Sequence, residues 1–145
     1  MKRVVSGEYL PGDSWDWIYG LSYRRYDSDF LTIQKALADK VIGEVFHYEA
    51  FVGGYGKPCS FWHSDKIISG GAIFDWGSHF IDQIMTLLPY PIDHISGLNQ
   101  KRHWHHISNA DHAQVVITYK DGKQAVFINS DLAAARKAKF HLLAV

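Results

Sequence analysis

Side chains able to do chemistry concentrate in one stretch, Gly70-Gly71-Ala72-Ile73-Phe74-Asp75-Trp76-Gly77-Ser78-His79-Phe80-Ile81-Asp82. On a helix turning ~100° per residue, Asp75, Ser78, His79, Asp82 and Thr86 fall within a stripe about 100° wide. Ile73, Trp76, Phe80, Ile84, Leu87 and Leu88 take the opposite side, with Gly77 among them permitting close packing. The stripe holds none of the long Lys, Glu, Arg or Gln side chains that fill ordinary solvated helix faces. Its members are short groups, suited to holding a proton or a ligand in place. Asp75 precedes His79 by four residues, a spacing at which a carboxylate can reach an imidazole. Such a pairing fixes the tautomer of the ring and suits it to general-base work near neutral pH. A helix anchored along one side and aiming an Asp–His pair from the other is the expected centre of function.

Around that helix the pattern is α+β. Asp27 or Ser28 can cap a first helix in which Phe30, Ile33, Leu37 and Val41 recur at helical spacing, with Gly43 able to end it. Residues 44–52 alternate as a strand with Phe46, Tyr48, Ala50 and Val52 on one face. Residues 53–71 form a long irregular connection, a feature usually tied to function. The chemical helix spans about 72–88 and is stopped by Pro89 and Pro91. Strands follow over 92–98, 102–107 and 113–119. Asp121-Gly122 is expected to supply the positive φ angles of a two-residue hairpin turn, Ala125 and Phe127 continue the return strand, and 140–145 form a last strand.

The order predicts a mainly antiparallel (mixed) β-sheet of five or more strands with two principal helices packed on one face. Two helices cover only one face of such a sheet. The other, bearing Val116, Val126, Ile128 and Leu143, is therefore expected to bury itself against a partner, making a homo-oligomer the expected state.

Composition removes several classes. The 145 residues carry 15 Lys plus Arg and 15 Asp plus Glu, so no net field favours nucleic acid or an anionic membrane. The one cysteine, Cys59, excludes an internal disulfide framework and reads as an incidental thiol. The longest apolar run falls far short of the roughly 20 residues of a membrane span. No hydrophobic stretch follows Met1-Lys2-Arg3, so a secretory signal is not expected and a cytoplasmic location is. Residues 1–20, where Trp15, Trp17 and Tyr19 alternate, read as a lead-in segment, and 21–145 as the domain proper.

The Gly-Gly-x-x-x-Asp-x-Gly-x-His-x-x-Asp pattern of residues 70–82 resembles a motif of the glucose-fructose oxidoreductase, inositol dehydrogenase and rhizopine-catabolism (Gfo/Idh/MocA) family. Three further stretches are similar in the same order: Tyr23-Arg24-Arg25-Tyr26-Asp27, Ile42-Gly43-Glu44-Val45, and Asp111-His112-Ala113 followed by Asp121-Gly122. The resemblance covers about residues 21–145 and implies the C-terminal, substrate-facing domain of an NAD(P)-dependent oxidoreductase acting on a sugar, polyol or related alcohol. It implies His79 as the acid/base and Asp75 as its orienting, substrate-contacting partner. Asp82, Trp62 and His63 follow as substrate-binding residues, with Arg24 and Arg25 organising the junction between domains.

NAD or NADP is expected for the full-length enzyme and no cofactor on this chain, because a dinucleotide site needs strand, glycine turn and helix with Gly-x-Gly-x-x-Gly. Gly53-Gly54-Tyr55-Gly56 lacks that spacing, and Lys57-Pro58 only superficially resembles the family's Glu-Lys-Pro lysine motif. The chain is accordingly expected to be a fragment, inactive without its Rossmann domain. Two other readings stand beside this one. Asp75, His79 and Asp82, with His103, His105, His106, Asp111 and His112, could serve a divalent-metal hydrolase. Alternatively, the chain is a non-catalytic dimerisation or binding module.

Overall fold

The computed structural model describes residues 24–145, so the lead-in segment 1–20 lies outside the described residues. Helix α1 (Ser28–Ala38) buries Phe30 and packs Leu37 against the core. It stops short of Val41, which is exposed. Lys40 adopts a left-handed conformation (φ 55°), and Val41 N–H returns to the Ala36 carbonyl at 2.9 Å while Lys40 N–H returns to Leu37. That closure satisfies the last carbonyls of the helix and turns Val41 out of its apolar stripe.

Strand β1 (Val45–Gly53) leads to a 3₁₀ turn (Trp62–Ser64), the four-residue helix α2 (Lys66–Ser69), a π-helical turn (Ile73–Gly77) and helix α3 (Ser78–Leu87). Strands β2 (Ile92–Gln100), β3 (His112–Tyr119), β4 (Gln124–Ser130) and β5 (Phe140–Ala144) complete one five-stranded sheet in the order β2-β3-β4-β1-β5. β1 and β4 run parallel and every other pair antiparallel, giving the expected mixed α+β architecture. Among the described residues no helix is long and apolar enough to cross a membrane.

Register explains the core. Val115, Phe127, Ala50 and Phe140 lie side by side across four strands, and Ile117, Ala125, Tyr48 and Leu142 form the next row. Ala50 and Ala125 leave room for rings, which Phe80 of α3 fills, its centroid 5.4 Å from Phe127 and 6.0 Å from Phe140. Phe80 and Ile84 are fully buried, each contributing about 1.5–3 kcal/mol relative to exposure. Gly77 lets the motif helix approach β4 closely, since a Cβ there would stand 3.1 Å from the Phe127 ring and press on it. The opposite sheet face carries Val116, Val126, Ile128 and Leu143 as expected, joined by Phe51 and by Glu49, which pairs with Lys137 at 2.6 Å.

Three local expectations are corrected. Phe46 does not join Tyr48 and Ala50. Val45 opposes Ala144 and His47 opposes Leu143, so Phe46 is the extra residue of a bulge and turns outward while Val45 takes the buried place. Residues 102–107 are not a strand but an irregular turn wound about the Asp111 carboxylate. The β3–β4 hairpin closes with Gly122 alone at positive φ (88°) beside Asp121, the Tyr119 N–H donating to the Lys123 carbonyl at 2.9 Å. That is the longer, glycine-bulged form of the turn.

Candidate active site

The Gly-Gly pair that opens the motif has a conformational cause. Gly70 (φ 79°) ends α2 and Gly71 (φ 102°) reverses the chain into the π turn, both in territory costly to other residues. The π turn then carries Asp75, which is half-buried, while Phe74 points to solvent. π turns inserted into α-helices recur at functional sites because they re-aim the side chains of one turn. Ahead of it, α2 is capped by Asp65, whose carboxylate accepts the Ile67 N–H at 2.8 Å.

Asp75 meets a different imidazole from the one its spacing suggests. Its Oδ2 lies 2.7 Å from Nδ1 of His63, and the His63 ring stacks on Trp62 at 3.6 Å between centroids. Side chains on a helix lean toward its N-terminus, which carries the short Asp75 carboxylate away from the turn holding His79 and toward the 62–64 turn. His79 is half-buried on the first turn of α3, and its Nδ1 is shielded from solvent. Asp82 is engaged elsewhere, in a two-pronged ion pair with Arg25 at 2.7 and 2.5 Å. Arg24 lies over the Trp76 ring at 4.8 Å and accepts Gln83 Nε2–H on its carbonyl at 2.7 Å. Arg24 and Arg25 thus brace α3 from outside.

His63 and Asp75 line a cavity of about 260 Å³ together with Cys59, Asn109, Asn129 and Asp131. That volume sits near the small end of small-molecule sites, roughly 300–1,000 Å³. Asn109 forms the partition behind it: its amide donates to the His63 carbonyl and to Ser69 Oγ (3.1 Å), while its N–H reaches the Ser64 carbonyl at 3.1 Å. A larger groove of about 550 Å³ lies across the same partition, but among the described residues Lys66 and Lys101 are the only charged ones on its walls. The smaller cavity therefore holds the Asp75–His63 pair, while His79 is not among its lining residues.

Asn109, Asn129 and Asp131 are site residues that sequence reasoning missed. A signal existed: Asn129-Ser130-Asp131 is a polar triplet ending an otherwise apolar strand, and Asn109 precedes the buried Asp111. Burial and the neighbouring Asp111 charge raise the Asp131 carboxyl above its ordinary value, with Lys101 opposing. Asp111 is held the other way. Burial disfavours its charge, yet N–H donors of His103 and Arg102, the Lys101 ammonium and the Trp104 N–H outweigh it and hold the carboxyl well below the usual range.

The side chains of the metal-hydrolase reading face apart, Asp75 toward His63, Asp82 toward Arg25 and Asp111 into its own loop. Among the described residues no group of three or more His, Cys, Asp or Glu could hold a metal ion. The exposed Cys59 thiol is lowered chiefly by its contact with Ser64. A dinucleotide does not fit the described residues either. After β1 the chain enters an irregular loop rather than a helix, and a Cβ on Gly53 would stand 1.9 Å from the Ser130 carbonyl oxygen. Gly53 serves strand packing, not phosphate approach.

Relatives share this architecture. The chain is 29% identical over 118 residues to the oxidoreductase YdgJ of Escherichia coli K12, covering 81% of this chain and 33% of that protein. It is 32% identical over 69 residues to the NADP⁺-linked scyllo-inositol 2-dehydrogenase IolW of Bacillus subtilis, covering 47% of this chain and 19% of that enzyme. The chain spans about a third or less of the length of these curated relatives. The crystal structure of an NAD-binding protein from Listeria innocua superposes with a TM-score of 0.73 at 27% identity, over 85% of this chain and 35% of that one. The family described as GFO/IDH/MocA C-terminal domain matches residues 30–143, and with the fold and motif helix in agreement, the chain belongs to that oxidoreductase family.

Proposed function

We propose that this domain is the substrate side of an NAD(P)-dependent oxidoreductase acting on a secondary alcohol of a sugar or polyol, and that it does not turn over alone. The observation that carries the reading is the Asp75–His63 pair set into a small cavity whose other polar walls are Asn109, Asn129 and Asp131. Hydroxyl-rich ligands need such a mixture of acceptors and donors, and apolar ligands are poorly served by it. IolW, a scyllo-inositol dehydrogenase, supports the substrate class.

In this reading His79, one turn further along the motif helix, takes the proton of the reacting hydroxyl, and Asp75 contacts the substrate and orients His63. His63 lines the cavity with Trp62 stacked on its ring, the two serving as substrate-binding residues, and Asp82 supports the site by anchoring Arg25 across α3. The nicotinamide dinucleotide belongs to a nucleotide-binding domain outside these residues, which also decides NAD against NADP. The open sheet face receives a second copy, and the protein works in the cytoplasm.

Calorimetric titration of the 145-residue chain tests the reading. Cyclic and linear polyols are expected to bind, Asp75→Ala to abolish their heat, and NAD⁺ or NADP⁺ to give none. Dinucleotide binding, or polyols that give no signal, would overturn it.

A further inference from the structure

Asp131 is placed as a ligand-binding group would be. It follows β4 and its backbone is fixed on three sides: its N–H donates to the Asp111 carbonyl at 2.8 Å, and its carbonyl accepts from Trp104 Nε1 at 3.3 Å and from the Gly56 N–H at 3.4 Å. Its side chain, half-buried on the cavity wall, has no hydrogen-bond or ion-pair partner among the described residues. A partly desolvated carboxylate without a partner is costly, and such groups persist where a ligand completes them.

The charges around the cavity limit what that ligand can be. The walls hold two carboxylates, Asp75 and Asp131, and one imidazole, His63, already paired with Asp75. Among the described residues no Lys or Arg lines it. A phosphate or carboxylate entering would meet two carboxylates and no cation on the wall, since Lys101, whose charge reaches Asp131, lines the larger groove instead, whereas vicinal hydroxyls can each donate to a carboxylate oxygen.

Resting on the polyol reading above, we infer that Asp131 sets substrate specificity, accepting hydrogen bonds from adjacent hydroxyls of an uncharged polyol and excluding its phosphorylated or carboxylated analogues. Asp131 binds and discriminates, and the proton chemistry stays with the motif helix.

The test is titration of the full chain and its Asp131→Asn variant with an uncharged cyclic polyol and with that polyol's phosphate monoester, with circular dichroism to establish that the variant is folded. The unaltered chain is expected to bind the uncharged polyol about tenfold or more tightly than the ester. In Asp131→Asn the uncharged polyol weakens, because the amide accepts on one oxygen only, and the preference shrinks toward parity because the repelling charge is gone. Equal affinity for the two ligands in the unaltered chain, or a preference that survives Asp131→Asn, would overturn the inference while leaving the polyol reading intact. Failure of both ligands to bind the unaltered chain would overturn that reading and the inference with it.

Discussion

Replacing Asp111 with alanine is expected to cost the domain about 3–5 kcal/mol, a large part of the roughly 5–15 kcal/mol that holds a domain folded. The side chain is fully buried. Its Oδ2 receives the N–H groups of Arg102 (2.5 Å), His103 (2.6 Å) and Trp104 (3.3 Å), and its Oδ1 the Lys101 ammonium (3.0 Å). Alanine would strand three backbone donors and leave the Lys101 ammonium with the Asn109 carbonyl but no counter-charge, and unsatisfied buried polar groups cost more than the bonds are worth when made. The loop so released carries Asn109, the partition of the cavity, so polyol binding should weaken together with stability. Chemical denaturation reads the first effect and calorimetry the second. Asp111→Asn, which keeps the shape and one acceptor oxygen, should lose less on both.

The same carboxylate sets an acid limit. Its folded-state pKa is depressed, so its stabilisation is complete above the ordinary carboxylate value, about 4, and is lost as pH falls toward the folded value. Asp131 works in the opposite sense. Its raised pKa makes its contribution complete below about 4 and lost as pH rises through the folded value. The Asp111 network should dominate, because its carboxylate has four donors and Asp131 has none.

His79→Ala is the second large effect. With a nucleotide-binding domain completing the enzyme, turnover is expected to fall about 10²–10⁴-fold, the range lost when a positioned acid/base is removed. Folding should change by only about 1 kcal/mol, since Phe80, Ile84 and the Arg25–Asp82 pair still hold α3. Steady-state kinetics beside a melting curve separates the two. A variant that keeps its full rate would remove His79 from the chemistry.

Much of this was legible from residue order. The apolar stripe of Phe80, Ile84 and Leu88 fixed which side of the motif helix is buried, and alternation along residues 113–119 fixed the sheet rows. What escaped was nonlocal. The 102–107 segment alternates like a strand, yet one buried carboxylate eight residues from His103 draws its backbone into a turn. The i, i+4 spacing of Asp75 and His79 is local and suggestive, but the carboxylate went to His63, twelve residues earlier, because the loop after β1 folds back over the π turn. Phe46 turned outward because β5 pairs with β1 through a bulge, a property of two strands whose paired residues Val45 and Ala144 are 99 positions apart, rather than of either strand alone.

Proton NMR of the histidine rings during polyol titration tests the central claim most directly. If the cavity beside Asp75 is where a sugar-like alcohol sits, the His63 resonances shift with saturation while those of exposed His94 and His141 stay still. Saturable binding that leaves His63 unmoved, or that moves all three rings alike, would place the alcohol elsewhere and contradict the account.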